Sequence, residues 1–196
     1  MTENFFYAPC QAKLSVSFLS STFHLPDRET FLSELPPLAA LSGLTDPLDR
    51  SSVKALHKYG REFARLADRQ VALAERINQV VSYLVAERSQ DMIHRTLMIG
   101  GSGFKFSLPP QPRAALGDLV KFTLALAPHC LYISGYGRIA GCEPDPERDG
   151  CAVLTAEFAL IREEDREAII QAVTRIQQQE LRMRADRRAE ENNDTH

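Results

Sequence analysis

Long hydrophobic runs are missing from this sequence. No stretch approaches the roughly 20 consecutive apolar residues that a bilayer-crossing helix needs, which excludes a membrane span. The first residues, MTENFFYAPCQAKLSVSF, also lack the basic start and unbroken apolar core of a secretory signal, so cytoplasmic residence is expected. Cysteine is scarce: Cys10, Cys130, Cys142 and Cys151 stand singly with no CxxC pair, as buried or half-buried thiols in a reducing compartment do. His24, His57, His94, His129 and His196 lie far apart without a ligand spacing such as HxxxH, so no metal is expected. A formal net charge of -3 and a pI near 6.0 give no global basic field, and nucleic acid is not an expected partner.

Catalytic signatures are absent as well. The run GGSG at residues 100–103 is not a phosphate loop, because that loop needs Gly-Lys-Ser/Thr opening a helix, whereas residues 104–108 open a strand. The chain is therefore expected not to be an enzyme and to carry no cofactor.

What is present suits one structural unit: 196 residues with 44% hydrophobic content can bury one core, or a small β domain with a helical annex. Residues 11–19 (QAKLSVSFL) alternate apolar and polar, the mark of a half-buried strand. The next stretch is studded with Pro26, Pro36, Pro37 and Pro47; Pro26 and Asp27 can start a short helix through Leu35, and the remainder reads as loop. Ser51 and Ser52 offer an N-cap to a proline-free helix running to about Gln90. The period then changes to two. Residues 93–99, 104–108, 119–126, 131–139 and 152–160 read as strands, with a tight turn at GGSG and a polar loop over 142–150, which suggests a small antiparallel barrel. From Glu163 the chain is helical, with Glu163, Glu164 and Asp165 favouring the helix start. Ile169, Val173 and Ile176 form the stripe expected to lie on the barrel. Its far end mixes Arg182, Arg184, Arg187 and Arg188 with Glu180, Asp186, Glu190 and Glu191, a solvated face with i,i+4 pairs, and EENNDTH is expected to fray.

The long helix carries a heptad. With Leu56 at position a, the a residues are Leu56, Phe63, Gln70, Ile77 and Leu84, and the d residues are Tyr59, Leu66, Leu73, Val80 and Glu87. Apolar residues dominate this seam, as in a coiled coil, and Gln70 in its middle can fix register and oligomer number. The expected oligomer interface is thus Leu56, Tyr59, Phe63, Leu66, Gln70, Leu73, Ile77, Val80 and Leu84. A second face, Ala64, Ala67, Val71, Ala74, Val81 and Val85, is apolar but smaller, so the helix is expected to meet two kinds of neighbour. The competing reading is an intramolecular hairpin with the C-terminal helix.

The succession GFKF, GDLVKFTLAL, LYISGYGRI and AVLTAEFAL, followed by an acidic helix start and a helix rich in Gln and Arg, resembles the PilZ domain family. The resemblance covers residues 93–184. It implies an α+β fold: a small antiparallel β-barrel with a long inserted heptad helix and a C-terminal helix. The organisation expected is a single domain over 1–196, with a first barrel strand at 11–19, an inserted oligomerisation helix at 51–90, the rest of the barrel at 93–161 and the C-terminal helix at 163–188. It also implies cyclic di-GMP signalling. Members of the family hold that nucleotide with RxxxR ahead of the first strand and D/NxSxxG on a later hairpin, where arginine forks grip phosphate and purine. Aligned on Gly103, the second motif has Met98 and Gly100 at its polar positions, and NFFYAPCQAK has no arginine. Arg95, Ser102 and Arg138 remain as candidate contacts. The inserted helix resembles an atypical subgroup that assembles as tetramers through a helical bundle. That implies self-association and a signalling, motility or pilus protein as partner. Two readings stay open: an oligomeric adaptor that has lost nucleotide binding, and a cyclic di-GMP receptor using non-standard residues.

Overall fold

The structure, a computed structural model, describes residues 7–41, 50–109, 114–126 and 131–193; the side chains of 41, 50–52, 54, 94, 95 and 188–193 are outside the description. Cys130, His129 and His196 lie outside the described residues.

The alternating segments become strands. They are β1 (Ala8–Pro9), β2 (Lys13–Phe18), β3 (His94–Gly100), β4 (Gly103–Leu108), β5 (Leu119–Leu126), β6 (Leu131–Pro144) and β7 (Ala152–Leu160). They form one antiparallel sheet in the order β1-β3-β2-β5-β6-β7-β4. A further pairing of β3 with β4 curls that sheet into a barrel-like shell, and the class is α+β as expected. Period two decides which side is wet: Val120, Phe122 and Leu124 on β5 are fully buried, while Lys121 between them is exposed. Inside, Phe104 meets Phe122 edge-on at 4.9 Å and Phe158 at 5.9 Å. Gly103 is needed where β4 begins its pairing with β7, because a Cβ there would run into the Ala156 carbonyl oxygen.

Several boundaries depart from the sequence expectation. Strand β6 continues past residue 139 to Pro144, where register shifts keep it paired with β7 as far as Pro144↔Ala152. Its last residues are mostly exposed, so backbone pairing holds them without any apolar signal. Strand β1 was not expected at all. It is held by Ala8↔Ile99 pairing, and the chain beside it by Thr96, whose buried hydroxyl accepts from the Ala12 amide at 2.9 Å and lies 3.0 Å from the Cys10 carbonyl.

The helices are α1 (Arg28–Ser33), α2 (Pro37–Leu41), α3 (Arg50–His57), α4 (Arg61–Arg88) and α5 (Glu163–Asn193). Asp27 caps α1 by accepting from the Thr30 amide at 2.8 Å. The segment expected to be loop contains α2, whose Pro37 opens the helix, where a missing N–H costs nothing. The single helix expected over 51–90 is two: it starts at Arg50, before the expected caps Ser51 and Ser52, and breaks at Lys58–Gly60. Gly60 there has φ +115°, a conformation glycine tolerates and other residues resist. Helix α5 docks its Ile169, Ala172 and Val173 into the barrel core, with Ile176 at the margin, and packs over β1 and β3. It extends beyond the expected 188 to Asn193. Farther along it, Arg184 pairs with Glu180 at 3.9 Å, one of the expected i,i+4 contacts. Where α5 begins, Arg162 reaches the fully buried Asp165 at 2.6 Å and also donates to the Ala39 carbonyl, tying α2 to the barrel. Among the described residues no helix is long and apolar enough to cross a membrane.

Candidate functional site

Two surfaces follow from the sequence reading: the outward face of α4 and the barrel surface around Ser102 and Arg138. Helix α4 has 28 residues and is about 42 Å long. Its smaller apolar face is used within the chain. Val81 and Val85 are buried in a cluster with Ala125, flanked by Leu38, Met92 and Tyr132, and Ala67 is buried nearer the helix start, on the half that α3 lies against. The heptad face is turned the other way. Phe63 (51%), Leu66 (54%), Leu73 (53%), Ile77 (45%) and Val80 (60%) remain exposed, and Tyr59, at the elbow before α4, is 74% exposed. Gln70 is exposed among them, and Leu84 and Leu56 are half-buried. An intramolecular hairpin with α5 would have covered this stripe; α5 lies on β1 and β3 instead.

Ser102 and Arg138 flank β7 at one end of the sheet, and Arg95 belongs to the other end of β3. Ser102 sits in the two-residue turn between β3 and β4, with its hydroxyl 3.1 Å from the Tyr7 hydroxyl. The Lys105 ammonium lies over the Tyr7 ring at 5.9 Å. Arg138 donates to the Gly117 carbonyl at 3.1 Å and lines an open groove of about 480 Å³ with Ser20, Ser21, His24 and Asp118. Register places Arg138 opposite Glu157, which in turn faces Gly103. Ser102 and Arg138 are thus at one level of the barrel with a carboxylate on the strand between them. Arg95 pairs with Lys13 near the far end of β3, five residues and about 17 Å from Gly100, and its side chain is outside the description. At the aligned motif positions, Met98 is half-buried and Gly100 is buried.

Other polar groups on the barrel serve to fasten the chain. The Tyr136 hydroxyl donates to Glu34 Oε2 at 3.1 Å, Lys121 reaches the same oxygen at 3.5 Å, and Phe23 stacks on the Tyr136 ring at 5.6 Å. Burial, then the bond to Glu34, pushes the Tyr136 phenol up. Burial also pushes up the Cys10 thiol, the opposite of what an attacking thiolate needs. Asp165 is pushed up by burial against the opposing pull of Arg162. Among the described residues no group of three His, Cys, Asp or Glu is placed to hold a metal ion. Sequence reasoning missed Tyr7, Glu34 and Asp165 as fastening groups; Tyr7 and Glu34 have partners about a hundred residues away, and nothing local marks them.

A curled antiparallel sheet closed by β3 and β4, with a helix following its last strand, is the architecture the sequence resemblance implied. The PilZ domain model matches residues 61–175, more than half of the chain, and the chain belongs to the PilZ domain family. Such domains are generally binding modules without catalysis. Among solved structures, a pathogenic protein from Xanthomonas campestris, described as a tetrameric PilZ domain self-assembled via a helical bundle, shares the fold at 12% identity. That match covers 91% of each chain with a TM-score of 0.52. The Bacillus subtilis inhibitor of motility matches at 19% identity with a TM-score of 0.41, over 46% of this chain and 44% of its own, so this chain spans less than half of that protein. No curated protein matches.

Proposed function

We propose that this chain is a non-catalytic cytoplasmic adaptor of the cyclic di-GMP family that assembles with copies of itself through the heptad face of α4 and presents its barrels to a signalling, motility or pilus protein. The observation that carries this is the stripe Phe63, Leu66, Leu73, Ile77 and Val80, exposed along one helix face while Val81 and Val85 on another face, at the C-terminal end of α4, pack on the chain's own barrel. Burying what remains exposed of each is worth roughly 1 kcal/mol. The stripes of two partners then supply on the order of 10 kcal/mol against the roughly 4–15 kcal/mol that association costs. The tetrameric Xanthomonas campestris protein, with the same fold along nearly its whole length, supports an assembly of this kind.

Loss of the usual nucleotide site belongs to the same reading. Met98 and Gly100 offer no polar side chain to a guanine beyond the weak thioether, and the Ser102 hydroxyl is engaged by Tyr7. Glu157 lies beside Arg138, where a phosphate would be repelled. Calorimetric titration with cyclic di-GMP is expected to show no heat of binding; micromolar binding lost on Arg95→Ala or Arg138→Ala would establish a receptor with non-standard contacts instead. Light scattering tests the assembly, with a mass above one chain expected and a monomer at every concentration fatal to it.

A further inference from the structure

The heptad phase does not stop where the helix does. Leu56 at a and Tyr59 at d are in step with Phe63, Leu66, Leu73, Ile77 and Val80, yet the elbow at Lys58–Gly60 folds α3 back on α4 and takes Leu56 out of the stripe. The clearest sign of that fold is His57, whose Nε2 lies 3.0 Å from Asp68 Oδ1. In an unbroken helix these residues, eleven positions apart, would be separated by about 16 Å along the axis.

Little holds the elbow shut. The His57–Asp68 contact is exposed on both sides, where such pairs contribute little, and the fully covered residue on this half of α4 is a small one, Ala67. The folded form also leaves Tyr59 in solvent, its ring 6.3 Å from that of Phe63. Gly60 is the one residue there whose backbone needs φ +115°. In an unbroken helix Gly60 takes helical dihedrals, which glycine also allows, and Leu56 and Tyr59 join the seam.

We propose that α3 and α4 are two parts of one heptad helix joined by a hinge at Gly60, closed in the single chain and straightened when a second copy pairs with the stripe. This rests on the assembly reading above and adds its regulation: the closed elbow withholds one heptad and so restrains self-association.

The test is a label-to-label distance between Ala55 and Ala72, both exposed and outside the a and d positions, in a chain whose native cysteines are replaced. Sedimentation of the same samples reports the assembly state. Labelled chain alone and dilute should give a short distance, set by helices packed about 10 Å apart. With excess unlabelled chain, a population near 26 Å should appear, the span of 17 residues in one helix. Gly60→Ala, which disfavours the elbow, should lengthen the distance even in dilute chain and tighten self-association about tenfold; Asp68→Ala should act in the same direction more weakly. A short distance that persists in chain shown by sedimentation to be assembled, or Gly60→Ala chain that assembles no more tightly, overturns the hinge and leaves the assembly standing. A chain that sediments as a monomer at every concentration overturns the assembly and with it the coupling.

Discussion

Val80 and Val81 are neighbours in sequence and opposites in surroundings: Val80 is 60% exposed on the heptad face, whereas Val81 is 5% exposed and packs in the cluster with Val85 and Ala125. One helix therefore meets its own barrel on one side and solvent on the other.

The pair gives a direct contrast. Val81→Asp buries a carboxylate without a partner and should cost about 3 kcal/mol or more, lowering the melting temperature by roughly 10 °C. Val80→Asp should leave the melting temperature at that of dilute parent chain and lower only the assembled mass. Thermal melts followed by circular dichroism, run beside light scattering, separate the two effects; equal melting behaviour would mean that α4 is not seated as described.

The close pairing of β4 with β7 at Gly103 makes a second prediction. Gly103→Ala puts a methyl group into the Ala156 carbonyl and within 3.0 Å of Glu157 Cα, and backbone cannot yield as a side chain does. The cost should be about 3 kcal/mol. Gly141→Ala meets only the Thr155 side chain at 3.4 Å and should change stability by less than about 1 kcal/mol. Urea unfolding of both variants checks the difference.

The cap of α1 predicts an acid dependence. The Thr30 amide holds the Asp27 carboxyl below the 3.8 of an ordinary aspartate. A carboxyl lowered on folding stabilises the fold above its unfolded value, and that contribution is lost as pH falls through the folded value. Helix α1, which carries Phe31 onto Tyr136, should loosen in that acid window. Asp27→Asn should keep the cap and flatten the dependence, as followed by the amide resonances of Thr30 and Phe31 through an acid titration.

Much of this fold was legible because burial and sequence period agree. Strands β5 and β7 begin and end where alternation does, at 119–126 and 152–160. The end of β6 was not legible, since Glu143 and Pro144 pair through backbone alone. The elbow in the long helix had a visible cue in Gly60, but a glycine within a sustained heptad is ordinarily absorbed by the helix, and only the fold of α3 onto α4 gives it a role. The exposed stripe on α4 was legible from its heptads. The placement of Ser102 and Arg138 on either side of β7 was not, because strand register decides it, with Glu157 set between Gly103 and Arg138.

The central claim is that the stripe on α4 is covered by other copies of this chain. Light scattering across a range of concentrations, on the parent and on Leu73→Asp, tests it most directly. The parent is predicted to have a mass that is a multiple of 22.0 kDa, and Leu73→Asp to fall to a single chain with its helix content kept. A parent chain that stays at 22.0 kDa throughout would contradict the account.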